Sequence, residues 1–144
     1  MTRLSPIPLF LVTLMMNPAN AQDSLHSPAA DSADYKAIVA IAEHSASQEL
    51  KQKILLKLDF LNVSGDWAFL NAQMQDASGA PFTYHGTPLQ VAAEAGGVSR
   101  VYAALLHKQD GNWLLREQAV GPTDVAWESW PADYGAPADL FSGD

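Results

Sequence analysis

Val98-Ser99-Arg100-Val101-Tyr102-Ala103-Ala104-Leu105-Leu106-His107-Lys108-Gln109-Asp110-Gly111-Asn112-Trp113-Leu114-Leu115-Arg116-Glu117-Gln118-Ala119-Val120 is the stretch that decides the fold. Val101, Ala103, Leu105 and His107 alternate with Tyr102, Ala104, Leu106 and Lys108, and both sets are largely apolar up to the turn. That is the pattern of a central strand covered on both faces, not of an edge. Asp110-Gly111 supplies residues that tolerate the positive φ of a tight reversal, so Trp113 to Val120 reads as the returning strand. Gly121-Pro122 ends it.

Working outward, a second pair of apolar runs precedes this hairpin. Leu56, Leu58 and Phe60 alternate against Lys57 and Asp59, Asn62-Val63-Ser64-Gly65-Asp66 has turn chemistry, and Trp67 to Met74 is apolar again. The same region also continues a helical spacing through Leu50, Ile54, Leu55 and Leu58, but the turn that follows favours a strand from about Lys53. Upstream, Tyr35, Ile38, Val39, Ala42 and Ala46 recur at three- and four-residue steps behind Asp31 or Ser32 as cap, with Asp34 in the first turn. This predicts a helix over 34–50. Asp76 to Pro81 breaks the second strand, and Phe82 to Thr87 reads as an exposed loop. Thr87-Pro88 opens a short helix over 88–95 that Gly96-Gly97 stops. The expected fold is α+β: an N-terminal helix packed on an antiparallel sheet of about four strands, closed by a short C-terminal helical lid. The architecture is similar to that of cystatin-like and NTF2-like proteins, which host binding proteins, inhibitors and enzymes alike.

The first twenty-one residues have the form of a secretory signal peptide. Arg3 gives the positive end, Leu9 to Met16 the apolar run, and Ala19-Asn20-Ala21 the small-x-small cleavage site. The apolar run is too short to span a bilayer, which takes about 20 residues. No cysteine follows it to accept a lipid, so no stable membrane anchor is expected after cleavage. Residues 22–33 are small and polar, a flexible lead-in containing His26, and 34–144 is long enough for one domain with one core. The exported product is expected in the periplasm or outside the cell. Without cysteine it relies on packing alone.

The chain has sixteen acidic residues against eight basic ones, a net charge of −8. Loss of Arg3 takes this to −9. Nucleic acid and anionic lipid are poor partners for such a surface. After Arg116 there is no Lys or Arg, while Glu117, Asp124, Glu128, Asp133, Asp139 and Asp144 follow, which reads first as a solvated acidic face.

Three motifs resemble a family of uncharacterised small secreted bacterial proteins: Gly65-Asp66-Trp67-Ala68-Phe69; Ala104-Leu105-Leu106-His107-Lys108 with Gly111-Asn112-Trp113; and Gly121-Pro122-Thr123-Asp124-Val125-Ala126-Trp127 with Trp130, Tyr134-Gly135-Ala136-Pro137 and Leu140-Phe141. The resemblance covers roughly the last eighty residues and implies the fold and export, with no activity attached. The family pattern has an acidic pair before the third strand, where this chain has Gly97-Val98-Ser99-Arg100.

No constellation of catalytic, metal or cofactor residues emerges. The four histidines show no His-x-His, His-x-x-x-His or His-Glu-x-x-His spacing, so neither a metal nor a cofactor is expected. There is no thiol, no Gly-x-Ser-x-Gly elbow and no phosphate loop. The weak catalytic candidates are His85 in the loop and His107 on the third strand, with Asp59 or Asp124 as carboxylate partner. Asp124 and Glu128 are four apart and would share one side of a helical turn, where Asp124 suits the helix start. Trp127 and Trp130 are three apart on a short helix that Pro131 would end, with Tyr134 close behind. Exposed, these three aromatics would form a stacking platform for a glycan or a protein; buried, they lid the sheet, which a small domain without disulfides needs. The expected function is an exported non-enzymatic domain that binds a protein or envelope component. The alternatives are an acid–base enzyme with a cavity between helix and sheet, and a glycan-binding module. The oligomeric state has no sequence signal.

Overall fold

The computed structural model describes residues 24–143, so the signal-peptide expectation for 1–21 lies outside the described residues. Ser32 caps helix α1 (Ala33–Leu50), its Oγ accepting from the Tyr35 N–H at 3.2 Å. The helix ends at Lys51, which takes the left-handed conformation (φ 56°). Four antiparallel strands follow the expected plan: β1 (Leu55–Ser64), β2 (Trp67–Gln75), β3 (Val101–Gln109) and β4 (Asn112–Val120), in spatial order β1-β2-β3-β4. Between β2 and β3 lies the short helix α2 (Gln90–Glu94), and after β4 come α3 (Trp130–Tyr134) and a 3₁₀ turn (Ala138–Phe141).

Both hairpins close over two residues, with Ser64 opposite Trp67 and Gln109 opposite Asn112. The first turn is therefore only Gly65-Asp66; Asn62, Val63 and Ser64, which sequence reasoning placed in the turn, belong to β1. Asp110 (φ 50°) and Gly111 (φ 79°) both have the positive φ that lets a two-residue reversal follow the strand twist. The register slips by one residue at Asp59 in β1 and at Arg116 in β4, each an extra residue against the partner strand.

The two residue sets of β3 face two cores. Tyr102, Ala104 and Leu106 join Ala68, Ala72, Leu61 and Val63 on the face that carries α1, where Ile38, Ala42, Ala46 and Leu50 are wholly buried. Alanine on both sides of this seam lets helix and sheet approach closely. Ala103 and Leu105 face the other way and are covered by the C-terminal segment through Trp130, Ala136 and Leu140. Phe69 is the hub of that second core, with the rings of Phe141, Phe60, Trp127 and Trp130 centred 4.5, 5.7, 5.8 and 6.2 Å away.

The C-terminal cover is built differently from the expectation. Pro131 occupies the first turn of α3 and begins that helix instead of ending one, because its missing N–H and fixed φ are harmless there. Asp124 to Ser129 form bends and turns, so Asp124 and Glu128 do not share a helix. The lead-in is also held: the backbones of His26 and Val63 exchange two hydrogen bonds at 2.9 and 2.8 Å, occupying the outer edge of β1. Among the described residues no helix is long and apolar enough to cross a membrane.

A candidate ligand cleft at the start of β3

Residues 82–87, expected as an exposed loop, instead bury both of their large aromatics, Phe82 and Tyr84. Phe82 and Tyr84 are 2% and 7% exposed, with their rings edge-to-face at 5.1 Å, while Thr83 and His85 point outward. The reason is strand-like: Phe82 N–H donates to the Met74 carbonyl at 3.1 Å, so the loop runs along the end of β2 and inherits a two-residue alternation. Thr87, expected as a helix cap, is buried; its hydroxyl donates to the Tyr84 carbonyl at 2.7 Å and accepts from Leu89 N–H, and α2 starts only at Gln90.

This loop, α2 and the segment 98–100 enclose a cleft of about 480 Å³, lined by Phe82, Tyr84, Ala93 and Val98 as its apolar part and by Thr83, His85, Gln90, Glu94, Ser99 and Arg100 as its polar part. The size lies within the usual range for small-ligand sites, about 300–1,000 Å³. Its charged groups are held by neutral partners. Arg100 Nε donates to the Phe82 carbonyl at 2.8 Å, which fixes the plane of the guanidinium. Gln90 accepts from Gly86 N–H at 2.7 Å and donates to Glu94 Oε1 at 3.0 Å, which orients that carboxylate. Arg100 and Glu94 form no ion pair with each other.

The wall opposite α2 is braced by the exit of β4. Tyr84 donates its hydroxyl to the Ser99 carbonyl, Ser99 donates its own to the Pro122 carbonyl, and Ser99 N–H reaches the Gly121 carbonyl at 3.0 Å. Gly121 has φ 67°, and a Cβ there would lie 2.5 Å from the Tyr84 hydroxyl and 3.0 Å from the Ser99 carbonyl. The Gly-Pro stop is thus a piece of the cleft wall. Burial pushes the Tyr84 phenol up to about 12 against the opposing field of Arg100, so Tyr84 stays a neutral donor at any ordinary pH.

The residues singled out in the sequence are scattered. His85 lines the cleft. His107 lies on the lid face, stacked on Trp67 with ring centres 4.1 Å apart and its Nδ1 3.3 Å from Gln109 Nε2. Asp59 is exposed on the β1 bulge and accepts from Gln73 at 3.1 Å, and Asp124 is exposed beyond β4. Among the described residues neither His85 nor His107 hydrogen-bonds to a carboxylate. Trp130 is 6% exposed and Trp127 and Tyr134 are half-buried, with the Tyr134 hydroxyl donating to Glu117 Oε2. The three aromatics therefore do not stand as an open platform. Among the described residues no group of three or more His, Cys, Asp or Glu could hold a metal ion.

Sequence reasoning passed over the cleft's main groups, Arg100, Glu94, Phe82 and Tyr84. Two signals were present: Phe82-Thr83-Tyr84-His85 alternates aromatic with polar, and Arg100 is the one Lys or Arg between Lys57 and Lys108. No family model matches this chain, and no curated protein or solved structure matches it.

Proposed function

We propose that this chain is an exported binding domain whose ligand, an envelope component or a protein segment, enters the cleft at the start of β3 with an anionic group against Arg100. The observation that carries this reading is a guanidinium oriented through Nε alone, beside an aromatic floor, without a carboxylate partner. Arg100 is exposed at the cleft with its Nε fixed by a carbonyl, and a planar guanidinium held in that way suits a ligand that supplies an anion. Export is supported by the form of residues 1–21, and a poor match to nucleic acid by the net charge.

The test is a backbone-amide NMR titration with small apolar carboxylic acids. Tryptophan emission is the wrong probe, since no tryptophan lines the cleft. Shifts confined to the amides of Thr83, Gln90, Ser99 and Arg100 are expected, and Arg100→Gln should weaken binding about tenfold or more, the scale of a charge-assisted pair. Unmoved lining amides at millimolar acid would end the proposal.

A further inference from the structure

The cleft carries two opposite charges, and each is fixed by a neutral group instead of by the other. Arg100 is held by the Phe82 carbonyl, Glu94 by the Gln90 amide, and Gln90 in turn by the backbone of Gly86. Both side chains are exposed and line the same cleft, the carboxylate carried by α2 and the guanidinium by the residue before β3, and they form no ion pair with each other. The same lining includes Phe82, Tyr84, Ala93 and Val98, which suit an apolar side chain.

We propose that the ligand is a zwitterion with an apolar side chain, an unblocked amino acid or short peptide, whose carboxylate meets Arg100 and whose ammonium meets Glu94. This rests on the reading of the cleft as the binding site and adds the second charge to it. A simple anion would satisfy Arg100 and leave Glu94 facing its negative charge, so the cleft discriminates against anions that bring no cation. The planar guanidinium takes the carboxylate through its two terminal nitrogens, Nε being already engaged, and the Gln90-oriented carboxylate accepts from the ammonium. Each residue of an extended peptide adds about 3.3–3.6 Å of reach, so chain length selects the span between the two charges.

The test is calorimetric titration of the protein with alanyl-leucine, alanyl-leucylalanine and leucine, each compared with its N-acetyl and C-amide forms. At least one zwitterion is expected to bind, and blocking either end should weaken it at least tenfold. In Glu94→Gln the N-acetyl form should bind as well as the free peptide, and in Arg100→Gln the amide should bind as well as the acid, while both variants keep the wild-type circular dichroism. If acetylated and free peptides bind the wild type alike while the amide fails, the zwitterion is overturned and the anionic site stands. If neither peptides nor simple carboxylates bind, both fall.

Discussion

Replacing Asn62 should detach the C-terminal cover from the sheet. Its Nδ2 donates to the carbonyls of Leu140 and Ser142 at 3.0 and 2.7 Å, and its Oδ1 accepts weakly from Ser27 at 3.4 Å. Leu140 is wholly buried, so in Asn62→Ala its carbonyl is stranded, whereas Ser142 is exposed and its carbonyl can turn to water. A lost bond of about 1 kcal/mol and a stranded acceptor of about 1–2 kcal/mol give a destabilisation of about 2–3 kcal/mol. For a domain of this size that lowers Tm by about 8–12 °C. Asn62→Asp is the sharper variant, because it keeps the shape, removes both donors and turns a negative charge toward two carbonyls. It should cost at least as much as the alanine. Urea unfolding followed by the emission of Trp127 and Trp130 reads both. An Asn62→Asp midpoint within 0.5 kcal/mol of wild type, on the order of the scatter for surface changes, would show that the amide does not hold the lid.

Trp130→Ala removes a ring that is 6% exposed and touches Phe69, and should destabilise by about 3–5 kcal/mol in the same assay. Gly121→Ala meets both a φ of 67° and the Tyr84 hydroxyl; a loss of about 2–3 kcal/mol is expected, with amide shifts at Tyr84 and Ser99 that place the damage at the cleft wall. Asp34 is held below the ordinary carboxylate range, first by the hydrogen bond from Trp113 Nε1 at 2.9 Å and then by Lys108. A depressed folded value means stability that is complete above about pH 4 and lost as pH falls through the folded value. The difference between wild type and Asp34→Asn in urea midpoint should therefore be present at pH 7 and shrink below pH 4. Tyr84 behaves in the opposite sense: a phenol raised to about 12 by burial stabilises below about pH 10, and that contribution is lost between about pH 10 and 12. Absorbance titration should show its ionisation delayed to that range, and Tyr84→Phe should remove this part of the alkaline loss of stability.

The strands and α1 were legible because each is set by a local pattern. β3 could be read as central since both of its residue sets are apolar, and the fold then supplied two covers, α1 on Tyr102, Ala104 and Leu106 and the C-terminal segment on Ala103 and Leu105. The details that were misread depend on partners far along the chain. Asn62 has turn chemistry by type, yet it sits in β1 because residues 78 and 80 positions later need its amide. Pro131 breaks a helix in general and starts one here, because the preceding residues are used to carry Trp127 and Trp130 over Phe69. Local propensity carries no information about either demand.

The cleft was invisible for a related reason: its groups belong to three segments, and none has a motif of its own. Histidines, tryptophans and carboxylate pairs draw the eye as residue types, yet Trp130 went into the lid-side core, His107 onto a half-buried stack with Trp67, and Asp59 and Asp124 onto open surface. What makes Arg100 distinctive is that the Phe82 carbonyl holds its guanidinium at the cleft, which is a property of the folded arrangement. Lys108 is the instructive contrast. It too stands in an acidic chain, but it pairs with Asp34 at 3.4 Å and lies 5.5 Å from the Trp113 ring, so its charge is spent on fastening α1 to the β3–β4 hairpin. Removing Lys108 should therefore change stability and leave the cleft alone, whereas removing Arg100 should change binding and cost in stability only about 1–2 kcal/mol for the hydrogen bond it donates to the Phe82 carbonyl. The two cations differ in place and partner, an ion pair that joins α1 to the hairpin against a carbonyl at the cleft, and that difference gives one to architecture and, in the proposed function, the other to a ligand.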